Sequence, residues 1–487
     1  MTLNSLSFAG FFLPVALIHR LLPARFRNLF LLLVSWIFYA ICAPQFLPLL
    51  LCTILLSYGL ALAMDCRPQH RKRYLLIGLI IALGILFLFK YLVFFANLLS
   101  VLLHPIRRTI PAIPALLLPV GISFYTFTIC GYLMDVYRQK RPAEKNFVDM
   151  ALFSSFFPAI LSGPIARSTA LLPQLKQHRL PNSTPSSYDA KLGITRFLWG
   201  LFLKMVLADR LAVLVNTAYG APEQFSGMQL LAAVLAYSLQ IYCDFCGYSH
   251  MAIGTARILG IQLPENFSAP YLARSVKEFW RRWHISLSTW FRDYLYFPLG
   301  GSRRGRMRTW CNVLIVFTIS GLWHGAAITF VVWGLLNGLY QVIGSILEPC
   351  RHRLRRALKL REDGLLLQFL QTGLCFLLLS VTWIFFRASN LGQAITVLTR
   401  IGTMAGASFP LHFTQLGLNQ PQLIQLGIMV LILLVFDAAD QRTDLLAHLC
   451  HTTWLRYVAW VVLILVIALF GAYGTGYNAQ DFLYFQF

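Results

Sequence analysis

The chain has 487 residues, of which 58% are hydrophobic and 12% are charged. A water-soluble domain is about half apolar, with roughly a quarter of its residues charged, so this composition excludes an ordinary soluble protein and favours one embedded in a bilayer. Lys and Arg number 41 against 18 Asp and Glu, which gives a formal charge of +23 and raises the question of nucleic-acid binding.

The positions of the basic residues answer that question. They lie in short clusters between apolar stretches, at Arg67–Arg73, Arg138–Lys145, Arg303–Arg308 and Arg351–Arg361. Short basic loops remain on the cytoplasmic side of membrane proteins. We therefore assign the clusters to the cytoplasmic face and predict no nucleic-acid partner.

In chain order, the first apolar stretch is Ser5–Leu22, and its nearest charges lie at its C-terminal end. Because no basic region precedes it, we expect a retained first span with an extracytoplasmic N-terminus, not a cleaved signal peptide. Most of the apolar stretches that follow are long enough to cross the hydrocarbon layer as helices. They include Leu29–Ala43, Pro44–Met64, Tyr74–Phe89, Ala112–Leu133, Met228–Tyr242, Gly364–Phe386 and Leu455–Phe470.

These elements predict an all-α, polytopic membrane protein with about 11–13 transmembrane or re-entrant helices and both termini outside. The apolar segment Cys311–Leu347 has basic clusters on both sides and should form a hairpin that turns at Gly325–Ala327. Segment Phe156–Leu175 is apolar but broken by Pro and Gly, which is typical of a re-entrant loop. We expect loops at Lys176–Asp189 and Thr403–Pro421.

Segment Ser275–Tyr296 mixes Trp, Phe and Leu with many charges. So many charges cannot all face lipid, so the segment should be a helical stretch at the interface or lining a cavity.

Ionisable groups among apolar spans are functional candidates because desolvating them costs several kcal/mol. His324, in the sequence GLWHG beside Trp323, is the sharpest candidate. A neutral imidazole in an apolar passage can accept a proton from a hydroxyl that attacks a thioester. The alternative is a buried histidine bonded to a backbone carbonyl, and spacing alone leaves both open.

A second candidate group is His284 with Arg281, Arg282 and Trp283, a mixture of cations and aromatic rings suited to phosphate or a polar head group. The alternative is an interfacial aromatic belt with snorkelling arginines. Asp244 could orient a polar partner, or it could pair with Arg281 or Lys204 and hold helices together.

Several other chemistries lack their signatures. Cys243 and Cys246 form a lone C-x-x-C without a second pair or matching histidines, so we predict no metal site and no bound cofactor. The chain contains no Walker loop, no H-E-x-x-H and no G-x-S-x-G.

Eight blocks of the sequence together resemble the membrane-bound O-acyltransferase family. They run in order over most of the chain, at Pro119–Arg138, Phe156–Leu175, Trp199–Ala212, Leu239–Gly254, Pro264–Gly301, Gly321–Gly338, Trp383–Ala394 and Phe482–Phe487. The chain departs from the usual family pattern at Ala159, Cys246, His250, Ile328 and Asn337.

The resemblance implies a single membrane domain over residues 1–487, with a catalytic core at 119–338 around a central tunnel. It places the family's central histidine at His324 and a second at His284, and it leaves the second open between catalysis and structure. Arg281, Arg282, Trp283, Asp244 and Trp323 become candidates for binding the donor or substrate.

The implied function is transfer of an acyl group, usually acetyl from acetyl-coenzyme A, across the bacterial inner membrane to an extracytoplasmic polysaccharide such as alginate. An extracytoplasmic acetyl-transferring partner protein is expected with it. Three alternatives remain open: D-alanyl transfer to a teichoic-acid-type polymer, a transporter or flippase of lipid-linked sugar, and a non-catalytic scaffold for an exopolysaccharide complex.

Overall fold

The structure is a computed structural model that describes residues 1–103, 114, 116–180, 186–357, 364–406 and 412–473. Within these residues every regular element is a helix. The predicted all-α fold is therefore confirmed. The last predicted block, Phe482–Phe487, lies outside the described residues, as do parts of the predicted loops and of the Arg351–Arg361 cluster.

The described chain divides into two compact units. The first comprises Met1–Phe197 with Ser249–Pro264, and the second comprises Leu198–Tyr248 with residues 265–473. The prediction of a single domain over the whole chain stays a prediction.

The first unit is built from nine helices and from parts of α10 and α12. The nine are α1 (Leu6–Leu21), α2 (Ala24–Cys42), α3 (Leu47–Cys66), α4 (Arg71–Leu86), α5 (Leu92–Leu103), α6 (Ile122–Tyr137), α7 (Phe147–Ser155), α8 (Phe157–Ile160) and α9 (Ser168–His178). A π-helical segment, Phe87–Tyr91, joins α4 to α5.

The second unit contains the remaining helices. They are α10 (Ser187–Leu201) and α12 (Gly227–Ile258), which contribute to both units, and α11 (Asp209–Gly220), α13 (Val276–Arg282), α14 (Ile285–Phe291), α15 (Arg306–His324), α16 (Ile328–Ala357), α17 (Leu365–Arg387), α18 (Leu391–Gly402), α19 (Gln420–Asp440), α20 (Leu445–His451) and α21 (Thr453–Phe470). Residues Phe202–Ala208 and Arg292–Tyr296 are π-helical.

Eight helical segments of the described residues are long and apolar enough to cross a membrane. This confirms a multi-pass membrane protein. The predicted count of 11–13 also included shorter and re-entrant helices, and it stays a prediction together with the topology. Among the eight, α12 has 78% of its most apolar window buried, whereas the others have 11–44%. Helix α12 is therefore a core helix, whereas most residues in the apolar windows of the other seven are not buried.

Of the two unusual segments, one is broken as predicted, and the other is interrupted where a helical stretch was expected. Phe156–Leu175 consists of the short helix α8, a non-helical stretch and the start of α9. Ser275–Tyr296 was expected to be one helical stretch. It is instead interrupted between α13 and α14, at Trp283 and His284.

Candidate active site

Helices α15 and α16 form the predicted hairpin, with its turn at residues 325–327. Two glycines let their backbones touch. A Cβ atom on Gly321 would lie 2.2 Å from the Phe330 carbonyl oxygen, and one on Gly334 would lie 2.3 Å from the Phe317 carbonyl oxygen. Because both obstacles are backbone atoms that cannot rotate away, the hairpin requires glycine at these positions. The close approach brings the end of α15 against the first turns of α16.

His324 is the last residue of α15 and is 3% exposed. Its ring lies among aromatic side chains, with centroid distances of 4.9 Å to Trp323, 5.0 Å to Trp333 and 5.4 Å to Phe386. Trp333 and Phe386 come from α16 and α17, and they were not among the predicted site residues. The imidazole is thus held in an apolar, aromatic enclosure, where water competes little for its proton.

His284 lies next to this enclosure, although it is far from His324 in the sequence. The two imidazole centroids are 6.4 Å apart, and His284 is completely buried. Its φ of +43° is left-handed, an uncommon conformation for a residue with a β-carbon. On α12, the ring of Phe245 packs edge-on against His284 at 4.6 Å. The structure therefore brings the two predicted catalytic histidines into one site.

A cavity of about 460 Å³ lies beside this site, between α13–α14 and the α15–α16 hairpin. Three exposed cations, Lys277, Arg281 and Arg292, belong to its lining. Along α15 the lining runs from Thr309 to Ser320, which is ~16 Å of helix. Ser320 precedes His324 by one helical turn. The lining therefore combines exposed cations with a residue one helical turn from the histidine.

Trp280 is a buried residue of the cavity lining. Its indole N–H donates to the Asn337 side-chain oxygen at 3.2 Å, and its ring lies 5.7 Å from that of Trp333. Since Trp333 also contacts His324, ring contacts connect the cavity lining to the imidazole through the two tryptophans.

The predicted donor-binding residues fall into different environments. Arg281 lines the cavity, whereas Arg282 does not and is ion-paired with Glu278 at 2.6 Å. Trp283 is 1% exposed and packs in the aromatic core, 5.2 Å from both Phe279 and Trp383. Adjacent residues on a helix point about 100° apart, which explains why Arg281 and Arg282 separate.

Asp244 is paired with Lys204, one of the two cations that the sequence allowed. The Lys204 ammonium lies 2.7 Å from Asp244 and 2.8 Å from Asp209. A Cβ atom on Gly247 would lie 2.8 Å from the Gly200 carbonyl oxygen, so this glycine lets α12 approach the backbone that carries Lys204. The geometry supports a helix-holding role for Asp244.

The site residues predicted from the sequence did not include Ser320 and Gln341 of the cavity lining, and they included Lys277 and Arg292 only as part of the segment Ser275–Tyr296, which was expected at the interface or lining a cavity. Helical spacing could have predicted part of this lining, because Ser320 lies one turn before His324 and Lys277 lies one turn before Arg281. Within the described part of the chain, no group of three or more His, Cys, Asp or Glu residues could hold a metal ion.

Residues 138–385 match the membrane-bound O-acyltransferase family, abbreviated MBOAT. Over the full length of both chains, the protein is 36% identical to a probable alginate O-acetylase, AlgI, of Pseudomonas putida. It is 35% identical to a peptidoglycan O-acetyltransferase of Helicobacter pylori, over 83% of this chain and 80% of that protein. A teichoic acid D-alanyltransferase of Bacillus subtilis is 28% identical, over 47% of this chain and 59% of that protein.

Proposed function

The chain belongs to the membrane-bound O-acyltransferase family and is an O-acyltransferase, and from this premise we propose that it passes an acetyl group across the inner membrane to an extracytoplasmic polysaccharide. The observation that carries the proposal is the cavity whose lining includes the cations Lys277, Arg281 and Arg292 and also Ser320, one turn of α15 before His324.

The donor proposed for this cavity is acetyl-coenzyme A. Exposed cations in the lining suit its phosphates, and the apolar wall of Leu287, Phe291 and Val316 suits an extended pantetheine arm. The ~16 Å of lined helix is comparable with the length of that arm. The thioester would then arrive at Trp280, and a movement of this side chain would admit the acetyl group to His324.

In the proposed reaction, His324 acts as general base. Its imidazole takes the proton of an acceptor hydroxyl as the hydroxyl oxygen attacks the thioester carbonyl carbon. The carbon–sulfur bond then breaks, and the leaving thiolate takes the proton back from the imidazolium. The products are an O-acetyl ester and free coenzyme A. His284, 6.4 Å away between ring centroids, lies close enough to assist through one water molecule.

We propose acetyl, and not D-alanyl, as the transferred group because the relatives that transfer acetyl align over more of the chain. The two O-acetyl-transferring relatives align over 83–100% of the chain, whereas the D-alanyltransferase aligns over 47%. The acceptor is proposed to be a polysaccharide such as alginate, reached directly or through an extracytoplasmic acetyl-transferring partner protein.

Two arginine variants test the donor site in the purified protein. A hydrogen bond to a charged group is worth roughly 1.5–3 kcal/mol, so Arg281→Ala should raise the KM for acetyl-coenzyme A about 10- to 150-fold. Arg282→Ala is the matched control, since Arg282 is engaged by Glu278 outside the cavity lining, and its KM should change less than threefold. Release of free coenzyme A in the presence of oligomannuronate provides the assay. Equal effects of the two variants, or no coenzyme A release by the unmodified protein, would contradict the proposal.

A further inference from the structure

The short segment Asn266–Ser268, which precedes α13, holds the backbone on both sides of His284. The Ser268 N–H donates to the Arg282 carbonyl at 3.0 Å, and the Ile285 N–H donates to the Asn266 carbonyl at 2.9 Å. These two bonds bracket Trp283 and His284, so the segment and the interruption between the helices run side by side.

The Asn266 side chain adds two more bonds at the same place. Its oxygen accepts from the Ser286 N–H at 3.3 Å and from the Ser286 hydroxyl at 2.6 Å. Asn266 is 1% exposed and Ser286 is 4% exposed, so little water can replace these bonds. The first turn of α14 therefore begins at a position that Asn266 fixes.

The histidine needs this support because its backbone is left-handed. A residue with a β-carbon at a φ of +43° persists only where the surrounding structure enforces that conformation. Bonds that hold residues 282, 285 and 286 leave the backbone between them little freedom. The strained residue is the one whose imidazole faces His324.

The neighbouring Phe267 fixes the ring as well as the backbone. Its ring packs edge-on against Trp283 at 5.0 Å and against Phe245 at 5.1 Å, and Phe245 in turn packs against the His284 imidazole. The segment thus holds the backbone around His284 directly, through hydrogen bonds, and it holds the imidazole indirectly, through the ring of Phe245.

We propose that Asn266 is a positioning residue that sets the His284 imidazole for acyl transfer. The inference rests on the proposed function, and it assigns to Asn266 a role in the rate of the chemical step beyond that of a buried polar group in the fold.

Two substitutions of Asn266 separate positioning from stability. Asn266→Ala removes the acceptor oxygen, whereas Asn266→Asp keeps an acceptor oxygen on a side chain of the same shape. A catalytic group displaced by about 1 Å can lose about 100-fold in rate. We therefore expect Asn266→Ala to lower kcat about 10- to 100-fold, with the KM for acetyl-coenzyme A changed less than twofold, and Asn266→Asp to recover most of kcat.

Asn28→Ala provides the control for loss of a buried asparagine. Asn28 is also fully buried, and its amide donates two bonds, to Asp149 and to the Leu175 carbonyl, within the first unit. This variant should lower the unfolding temperature without lowering kcat per folded protein. If Asn266→Ala fails to fold, Ser286→Ala removes one of the same bonds and should give a smaller loss of kcat.

A spectroscopic measurement makes the test independent of activity. In ¹⁵N-histidine spectra of the full chain, the His284 signal is identified by its loss in His284→Asn. It should shift in Asn266→Ala and return in Asn266→Asp. An unmoved signal, or a kcat loss in Asn266→Ala that Asn28→Ala matches, would overturn the positioning role. Lack of coenzyme A release by the unmodified protein would refute the proposed function while the spectra still decide the role of Asn266.

Discussion

Replacing Gly334 by alanine should damage catalysis through the hairpin that carries His324. The new Cβ atom would lie 2.3 Å from the Phe317 carbonyl oxygen, whereas ordinary van der Waals contact begins at 3.4 Å. The difference, 3.4 − 2.3 = 1.1 Å, must be supplied by separation of α15 from α16, because both atoms are fixed to helix backbone. A displacement of about 1 Å at a reacting group can cost about 100-fold in rate.

The matched control is Gly344→Ala on the same helix. Apart from the backbone of its own helix and its chain neighbours, no described atom lies within 4 Å of a Cβ built at Gly344, and alanine favours a helix over glycine by about 1 kcal/mol. Coenzyme A release per folded protein should fall about 100-fold in Gly334→Ala and stay unchanged in Gly344→Ala. Equal activity of the two variants would refute the close-packed hairpin as the support of His324.

Three further predictions follow from the site. His284→Asn should lower kcat by about 10- to 100-fold while preserving the fold, because asparagine tolerates the left-handed backbone, and an unchanged kcat would leave His284 with a structural role. Asp244→Ala should destabilise the protein by about 1.5–3 kcal/mol, since it removes one of the two carboxylates that contact Lys204 while Asp209 remains, and thermal unfolding measures this; a raised KM for acetyl-coenzyme A at unchanged stability would instead restore the donor-binding role. Cysteine probes in Arg303–Arg308 should react from the cytoplasmic side, as short basic loops predict, and reaction only from outside would reverse the topology.

The sequence was sufficient for most of the long apolar helices and for the hairpin because both depend on local patterns. Two predicted stretches are exceptions: Ser5–Leu22 and Ala112–Leu133 correspond to α1 and α6, which have only 16 residues each and are not among the eight long apolar helices. Apolar stretches and basic clusters repeat along the chain, and the turn at residues 325–327 follows from its small residues between two apolar runs. His324 could be found for the same reason, as an ionisable group among apolar neighbours.

The interruption at His284 could not be found in this way. It depends on hydrogen bonds made by Asn266 and Ser268. These residues lie too far from His284 in the sequence for the helical pattern of Ser275–Tyr296 to indicate the bonds. The different environments of Arg281 and Arg282 also depend on which face of α13 meets the cavity. The partner of Asp244 could be predicted only in part. The sequence offered two cations, Arg281 and Lys204, and the packing of α12 places Asp244 beside Lys204.

Transport of label across a sealed membrane is the direct test of acetyl transfer from one side of the membrane to the other. Proteoliposomes would be sorted so that the Arg303–Arg308 loop faces the labelled acetyl-coenzyme A, with oligomannuronate on the opposite side. We predict labelled ester on the opposite side for the unmodified protein, and at least 100-fold less for His324→Ala, because a general base contributes about 10²–10⁴-fold to the rate. Label confined to the donor side, equal transfer from either side, or full activity of His324→Ala would contradict the account.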